Sequence, residues 1–481
     1  MYTTLIIISI IILICIFLSK ALYRSAVPSL IIFLVLGMIM GSDGIGGIYF
    51  DNFEIAENVS TFALVIIMFY GGFGTKWDTA KPTAVKAGLM SSIGTIITAF
   101  VIGAFCFFIL KVPFLYGLLF GSVVGSTDAA SVFSILRSRK LNLKNELAPL
   151  LEVESGSNDP FAYMMTVMAI SAIQSQGSEV SFISLAGDIV LQIGFAICVG
   201  AIVSSLTVIM LKRLPLEETG FYPILLFAIV LFSFSVCGMI GGNGFLCVYI
   251  LGIVIGNSQF INKINTVHFF DSLSWLMQIM LFFILGLLSF PSKLQTVAIP
   301  GILLSVLLIL VARPISTFCI LGWFKIPLKQ LTFVSWVGLR GAASIVFAII
   351  SVKALGDSLP YDLFHLVFFI ALFSVLIQGT LTPYIAKKLD LVDEDDKNSV
   401  MKTFTDYFEE THMQLLEYRI KATDKLLGKL IVESHIPENV LIVMIKRNDE
   451  IILPKGSTRL IENDILVVSG DDFSFFRKTT A

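Results

Sequence analysis

The stretch Glu152-Val-Glu154-Ser155-Gly-Ser157-Asn158-Asp159-Pro160 lies between Leu147, Leu150 and Leu151 on one side and Phe161, Met164, Met165 and Val167 on the other. An ionisable side chain at bilayer depth costs at least about 2.5 kcal/mol, so it is rarely kept there without a function. A second polar cluster, Gly125-Ser126-Thr127-Asp128, closes the preceding apolar segment. Carboxylates and hydroxyls sunk together in apolar surroundings are the chemistry of a path for protons or small cations. In a partly dry cavity desolvation penalises a bare charge, so Asp159 is expected to hold either a proton or a monovalent cation. Competition of the two for one carboxylate gives exchange, provided the site opens alternately to each side. The bland reading is a carboxylate that caps a helix or balances an arginine permanently.

The neighbours divide the remaining roles. Ser155 precedes Asp159 by one helical turn on the same face, and its hydroxyl is a candidate cation ligand. Thr127 can offer its hydroxyl or its carbonyl. Asn158 carries no charge, which leaves one titrating carboxylate at that point; its amide serves most simply as a tether to a neighbouring helix. Ser157 faces elsewhere. Arg313, followed by Pro314, is a second buried charge, and guanidinium suits a carboxylate well. A structural Glu154–Arg313 pair would leave Asp159 free; the alternative pairs Arg313 with Asp159 as a built-in competitor. Arg340, in Gly338-Leu-Arg340-Gly341, is placed to neutralise helix C-termini in its own broken span, with Asp128 as its counterpart acting on helix N-termini or Thr127. Glu152, Asp188 and Asp271 lack polar neighbours and read as entrance or interfacial residues.

These residues need a membrane domain to hold them. The chain of 481 residues is 56% apolar and only 14% charged, with a mean hydropathy of +0.90. Soluble proteins carry roughly 25% charged residues, so the class is integral membrane. Thirteen apolar segments read as spans: 3–19, 27–41, 56–73, 85–110, 114–136, 147–174, 182–211, 220–239, 242–257, 265–290, 295–323, 331–352 and 362–386. The first begins without a basic leader and reads as a span, not a cleaved signal. With the N-terminus outside, alternate loops hold sixteen basic residues on the cytoplasmic side against three outside, as the positive-inside rule requires. The thirteen divide into six, a linker and six of opposite orientation. The fifth and twelfth spans then correspond, and both are interrupted by glycine and polar residues, which is the sequence mark of a transporter's midplane site.

Charge density shifts after Lys388: residues 1–388 hold 38 charged residues and residues 389–481 hold 30. The expected organisation is a transmembrane domain over 1–388, a linker helix over 389–425 and a small domain over 426–481. Helix is expected across 397–430. Strands are expected at Val440–Lys446, Ile451–Pro454 and Asp464–Gly470, with a turn at 447–450. The fold class is thus an all-α polytopic membrane protein, about thirteen transmembrane helices in inverted repeats with two broken crossing helices, plus a small cytoplasmic α+β domain.

Other classes fare poorly. A net charge of −2 without a basic stripe argues against nucleic acid. Six cysteines scattered through apolar segments read as buried small hydrophobes, not a disulfide or metal framework. Gly241-Gly-Asn243-Gly244 follows no strand and is no nucleotide loop, the four histidines are dispersed, and no hydrolase or nucleotide-binding motif occurs. No enzyme is expected.

Taken together, Gly125-Ser-Thr-Asp128-Ala-Ala, Glu154-Ser-Gly-Ser-Asn158-Asp159-Pro160, Arg313-Pro314 and Gly338-Leu-Arg340-Gly341-Ala resemble the bacterial cation/proton antiporters of the NhaP type. Leu136-Arg-Ser-Arg-Lys-Leu-Asn-Leu143 is similar to the potassium/proton branch. The resemblance implies a homodimer of thirteen-span subunits in the bacterial inner membrane whose core moves as an elevator. It further implies K+ (or Na+) and H+ as cargo at Asp159, helped by Asp128, Thr127 and Ser155, and electroneutral exchange from the Asn158-Asp159 pair. No cofactor or resident metal is implied. One departure is Ala129, where many relatives have proline. The tail, through Leu427-Gly-Lys-Leu430, Ile445-Lys-Arg447, Ile452-Leu-Pro454 and Glu462-Asn-Asp464-Ile-Leu, resembles the TrkA-C (RCK-C) regulatory domain, which implies a small ligand such as a nucleotide, or dimerisation alone. Because such domains also regulate channels, an RCK-regulated cation channel is the alternative function.

Overall fold

The computed structural model describes residues 2–22, 29–139, 141–144, 146–175, 182–213, 218–392, 414–420, 424, 426–434, 436, 440–447 and 450–470. The chain divides into two compact units, Met1–Thr403 and Phe404–Ala481.

Among the described residues the first unit is built of helices, with one isolated bridge between Leu143 and Val392. Its elements are α1 (Tyr2–Leu22), α2 (Ser29–Met40), α3 (Phe53–Gly74), α4 (Trp77–Ala80), α5 (Ala84–Leu89), α6 (Thr95–Phe108), α7 (Phe114–Val123), α8 (Ala129–Ser138), α9 (Leu147–Gln174) and α10 (Phe182–Arg213). Then follow α11 (Phe221–Met239), α12 (Gly244–Gly256), α13 (Lys263–Leu288), α14 (Pro291–Leu307), α15 (Arg313–Leu321), α16 (Leu328–Trp336), α17 (Ala342–Leu355), α18 (Leu363–Phe373) and α19 (Thr380–Lys388). Among the described residues, seven helical stretches are long and apolar enough to cross a membrane by length and composition; α7, α8 and α12 are shorter apolar helices.

Chemistry at the helix ends explains where they start. Asn52, Asp128, Asn243 and Asp362 each accept a backbone N–H in the first turn of α3, α8, α12 and α18. Pro291 opens α14, where its missing N–H is not needed. Pro314 would clash with the carbonyl one turn earlier in a regular helix. Instead, a π-helical turn at Leu308–Ala312 joins α14 to α15 just ahead of it. Similar turns at Met90–Gly94 and Ser374–Gly379 join α5 to α6 and α18 to α19.

Two groups of helices build the unit. Helices α2, α3, α10, α11, α12 and α13 pack on one another, and α5 to α9 pack with α14 to α19. Helix α9 lies where the groups meet, touching α3, α10 and α12 on one side and α5 to α8, α16 and α17 on the other. Two interruptions face each other inside the second group: Val124–Asp128 between α7 and α8, and Val337–Gly341 between α16 and α17. The Asp128 N–H donates to the Leu339 carbonyl at 2.8 Å, so the two breaks are bonded at their crossing.

The second unit carries an antiparallel sheet of β1 (Gln414–Arg419), β2 (Val440–Arg447), β3 (Glu450–Ile452) and β4 (Ile465–Gly470), in the order β1-β4-β2-β3. Its core is Tyr418, Ile420, Leu426, Val440, Ile442, Ile445, Leu460, Leu466 and Val468. The wholly buried Asp464 accepts both Arg447 Nε (2.8 Å) and a terminal Arg447 nitrogen (2.9 Å), plus the Ile461 N–H. The expected helix across 397–430 is corrected at 414–419, which form β1 because β4 offers a full antiparallel partner from Ile465 to Gly470. Residues 397–413, 421–423 and 425 of that segment lie outside the described residues.

The cysteines are corrected in part. Cys15, Cys106, Cys237 and Cys247 are buried, whereas Cys198 and Cys319 are exposed on their helices. Cys237 and Cys247, ten residues apart in sequence, share one small apolar cluster.

Candidate ion-binding site

The two interruptions and the middle of α9 bring the polar residues together. Helix α9 runs unbroken through Pro160 and presents Glu154, Ser155, Asn158 and Asp159 to the crossing. Asp159 Oδ1 accepts the hydroxyl of Ser126. Ser155 accepts the Ala129 N–H (2.9 Å) and donates to the Thr127 carbonyl (2.7 Å), so its hydroxyl clamps the end of the first interruption. Asn158 donates from Nδ2 to the Thr127 hydroxyl, a tether from α9 to the same segment. Thr127, Asn158 and Ser126 are buried, and Asp159 is partly accessible.

Three of the four helix ends at the interruptions meet a compensating charge. Asp128 caps α8 through the Ser131 N–H (3.2 Å) and hydroxyl (2.5 Å). It also lies against Gly341, the residue that precedes α17: a Cβ there would come within 2.6 Å of the Asp128 Cβ. One carboxylate thus serves two helix N-termini, where negative charge is favoured. Arg340 donates to the carbonyls of Gly125 (2.8 Å) and Ser126 (2.7 Å). Here the sequence reading is corrected: Arg340 neutralises the C-terminal end of α7, not that of α16 in its own broken segment. The crossing carries its side chain across to carbonyls that have no next turn to bond them.

Arg313 lies 2.6 Å from Glu154 Oε1, with both side chains buried. Among the described residues neither Glu154 oxygen nor Arg313 Nε has a hydrogen-bond partner besides this ion pair. Gly338 makes room for the pair, because a Cβ there would meet Arg313 Nε at 2.8 Å. Three carboxylates (Asp128, Glu154, Asp159) therefore face two guanidinium groups (Arg313, Arg340). With Glu154 matched to Arg313 and Asp128 to helix ends, Asp159 is the uncompensated one. One proton or one monovalent cation restores neutrality.

Two participants escaped the sequence reading. Ser126 stood within the polar cluster but had no role assigned, and it is the hydroxyl on Asp159. Asn243, considered only within a glycine run that is no nucleotide loop, caps α12 and donates from Nδ2 to the Pro160 carbonyl at 2.9 Å, one peptide beyond Asp159. Its only local signal was an asparagine before an apolar run, the mark of a cap. Of the other acidic residues, Asp271 accepts the Tyr70 hydroxyl at 2.7 Å between α13 and α3, and Asp188 is exposed on α10. Among the described residues no group of three or more His, Cys, Asp or Glu is arranged to hold a resident metal.

Comparison with known proteins bears on this arrangement. The family model described as "Sodium/hydrogen exchanger, transmembrane" matches residues 7–388, and that of the TrkA-C domain matches residues 415–472. The chain is 34% identical over 459 residues to the K(+)/H(+) antiporter NhaP2 of Shewanella baltica, covering 95% of this chain and 79% of that protein. It is 32% identical over 459 residues to the K(+)/H(+) antiporter NhaP of Alkalimonas amylolytica, covering 94% and 79%. Among solved structures, the sodium proton antiporter MjNhaP1 from Methanocaldococcus jannaschii at pH 8 shares the fold, with a TM-score of 0.69 at 23% identity over 81% of this chain and 99% of that one.

Proposed function

This chain belongs to the sodium/hydrogen exchanger family, and on that footing we propose that it exchanges K+ for H+ across the bacterial inner membrane. The observation that carries the reading is the uncompensated Asp159 at the crossing of two interrupted helices, one hydroxyl from Ser126 on its carboxylate. K+ rather than Na+ is favoured by relatives that match 95% and 94% of this chain and are named K(+)/H(+) antiporters. Asp159 binds a cation or a proton in turn, and alternating access carries each across. Asn158 adds no second charge, so one K+ moves against one H+ and the exchange is electroneutral.

Asp128, Thr127 and Ser155 shape the site around the cargo, Asn158 tethers α9 to it, and Glu154 with Arg313 stays paired through the cycle. The chain acts as a transporter and not as an enzyme, without a cofactor. It works as a homodimer, with its N-terminus outside and its C-terminal domain in the cytoplasm, the side the basic loops favour. The TrkA-C domain is a regulatory module for a small ligand such as a nucleotide. The channel alternative rests on the TrkA-C domain alone and is not favoured, since the relatives compared are antiporters and a carboxylate stands at the crossing.

Sealed everted vesicles with a preset pH gradient test the exchange. Collapse of the gradient on adding K+, without a change in membrane potential, supports electroneutral K+/H+ exchange. K+ flux that ignores the pH gradient contradicts it.

A further inference from the structure

Apart from Asn243, the hydroxyls and amides placed around Asp159 so far come from α9 and the two interruptions. Helix α12, packed with the other group of helices, brings a second side chain to α9. A Cβ on Gly156 would meet Tyr249 Cε2 and the Tyr249 hydroxyl oxygen at 2.7 Å, so the tip of the phenol is seated on bare α9 backbone. Gly156 precedes Asp159 by three residues, which stacks the two positions on one face with about 5–6 Å between Cβ sites. Tyr249 is thus held within one turn of the cargo carboxylate, whose Oδ1 takes the Ser126 hydroxyl. Its own helix is firmly anchored, because Gly72 and Gly252 let the backbones of α3 and α12 touch, at the Tyr249 and Phe69 carbonyls. Tyr249 is only 3% exposed, yet among the described residues its hydroxyl makes no hydrogen bond. The Thr75 hydroxyl faces it but donates to the Gly71 carbonyl at 2.9 Å, and the carboxylates facing it are Glu152 and Asp159. A buried hydroxyl left without a partner costs free energy, so one kept at such a place calls for a partner that comes and goes.

We infer that Tyr249 is a further cargo-binding residue: its hydroxyl oxygen and the Asp159 carboxylate together hold the alkali cation, whereas a proton is held by the carboxylate without it. The inference rests on the exchange proposed above. Hard cations take oxygen ligands, and a phenol oxygen supplies one without adding a second charge to the site. Its hydrogen is free to turn toward the Thr75 oxygen while the lone pairs face the cation. Because Tyr249 serves only one of the two competitors for Asp159, it weights the competition toward the cation.

The test is K+-dependent exchange in everted vesicles, with the apparent KM for K+ and the maximal rate measured separately for wild type, Tyr249→Phe and Thr75→Val. The melting temperature of each purified protein in detergent is measured beside them. Tyr249→Phe keeps the ring on Gly156 and removes one oxygen. It is expected to raise KM severalfold with the maximal rate near wild type. Its melting temperature should be equal or higher, because the lost hydroxyl had no partner to leave behind. Thr75→Val should keep the wild-type KM. An unchanged KM in Tyr249→Phe beside active wild type overturns the inference alone, whatever happens to the maximal rate. So does a raised KM accompanied by a lower melting temperature, or an equal rise in Thr75→Val, because either marks a structural bond between Tyr249 and Thr75. An inactive wild type overturns the exchange reading itself and the inference with it.

Discussion

Glu154 and Arg313 meet at 2.6 Å in the buried interior of the membrane unit, while Asp159, five residues further along the same helix, holds among the described residues only the hydroxyl of Ser126. Of these two carboxylates of α9, Glu154 is committed to structure and Asp159 is left for cargo. Placed on one helix, the two residues are held at a constant separation, so the structural pair fixes the height of the cargo carboxylate.

Breaking that pair should destabilise the fold. Arg313→Gln or Glu154→Gln leaves a buried charge without its partner, at a cost of about 3–5 kcal/mol. The melting temperature of the purified protein in detergent should fall sharply for each single variant, and the double variant should recover part of the loss. Single variants as stable as wild type would refute the structural role.

Gly341 should tolerate no side chain. A Cβ there meets Asp128 at 2.6 Å, so Gly341→Ala must push apart the two interruptions that cross at this point. We expect loss of exchange and a lowered melting temperature. Gly88→Ala, at a helical glycine with nothing within 4 Å of the added Cβ, is the matched control and should be neutral or slightly stabilising. Equal effects of the two would contradict the account.

Asn243→Ala removes a helix cap and a bond to the Pro160 carbonyl together. Cap loss alone costs about 0.5–2 kcal/mol, and the abandoned buried carbonyl adds to it. Thermal unfolding should therefore shift down by more than for Asn52→Ala, which loses a cap hydrogen bond to Ile55 at an exposed helix start. A smaller shift for Asn243→Ala would show that its bond to Pro160 contributes nothing.

How much of this was legible beforehand follows physical range. Long apolar runs announce helices because lipid forbids unpaired backbone, and the interruptions at 124–128 and 337–341 stood out as glycine and polar residues within such runs. The carbonyls that Arg340 reaches were not legible, since Gly125 and Ser126 are more than two hundred residues away. Asn243 was missed for the same reason: its cap is a local pattern, but its bond to Pro160 spans 83 residues. The β1 strand was misread because six residues carry too short a pattern to separate strand from helix, and only pairing with β4 decides it.

Acid should loosen one link between the α2–α3 loop and the start of α14. Asp43 Oδ2 accepts the Ser292 N–H at 2.9 Å, joining the α2–α3 loop to the start of α14, and hydrogen bonds from Ser292 hold the Asp43 carboxyl below the usual carboxylate range. A group whose pKa is depressed on folding stabilises fully above its unfolded value of about 3.9 and loses that contribution as pH falls through the folded value. Hydrogen exchange at the Ser292 amide, corrected for intrinsic rate, should stay equally protected from about pH 7 to 5 and lose protection only below about pH 4. Loss of protection between pH 7 and 5 would contradict the role given to Asp43.

The most direct test of the central claim is the rate at which added K+ collapses a preset pH gradient in sealed everted vesicles, wild type beside Asp159→Asn at matched membrane abundance. The account predicts rapid collapse by wild type and none above the empty-vesicle background by Asp159→Asn, whose amide keeps the shape but holds neither proton nor cation as a carboxylate does. Equal collapse by both would remove Asp159 from the mechanism and contradict the account.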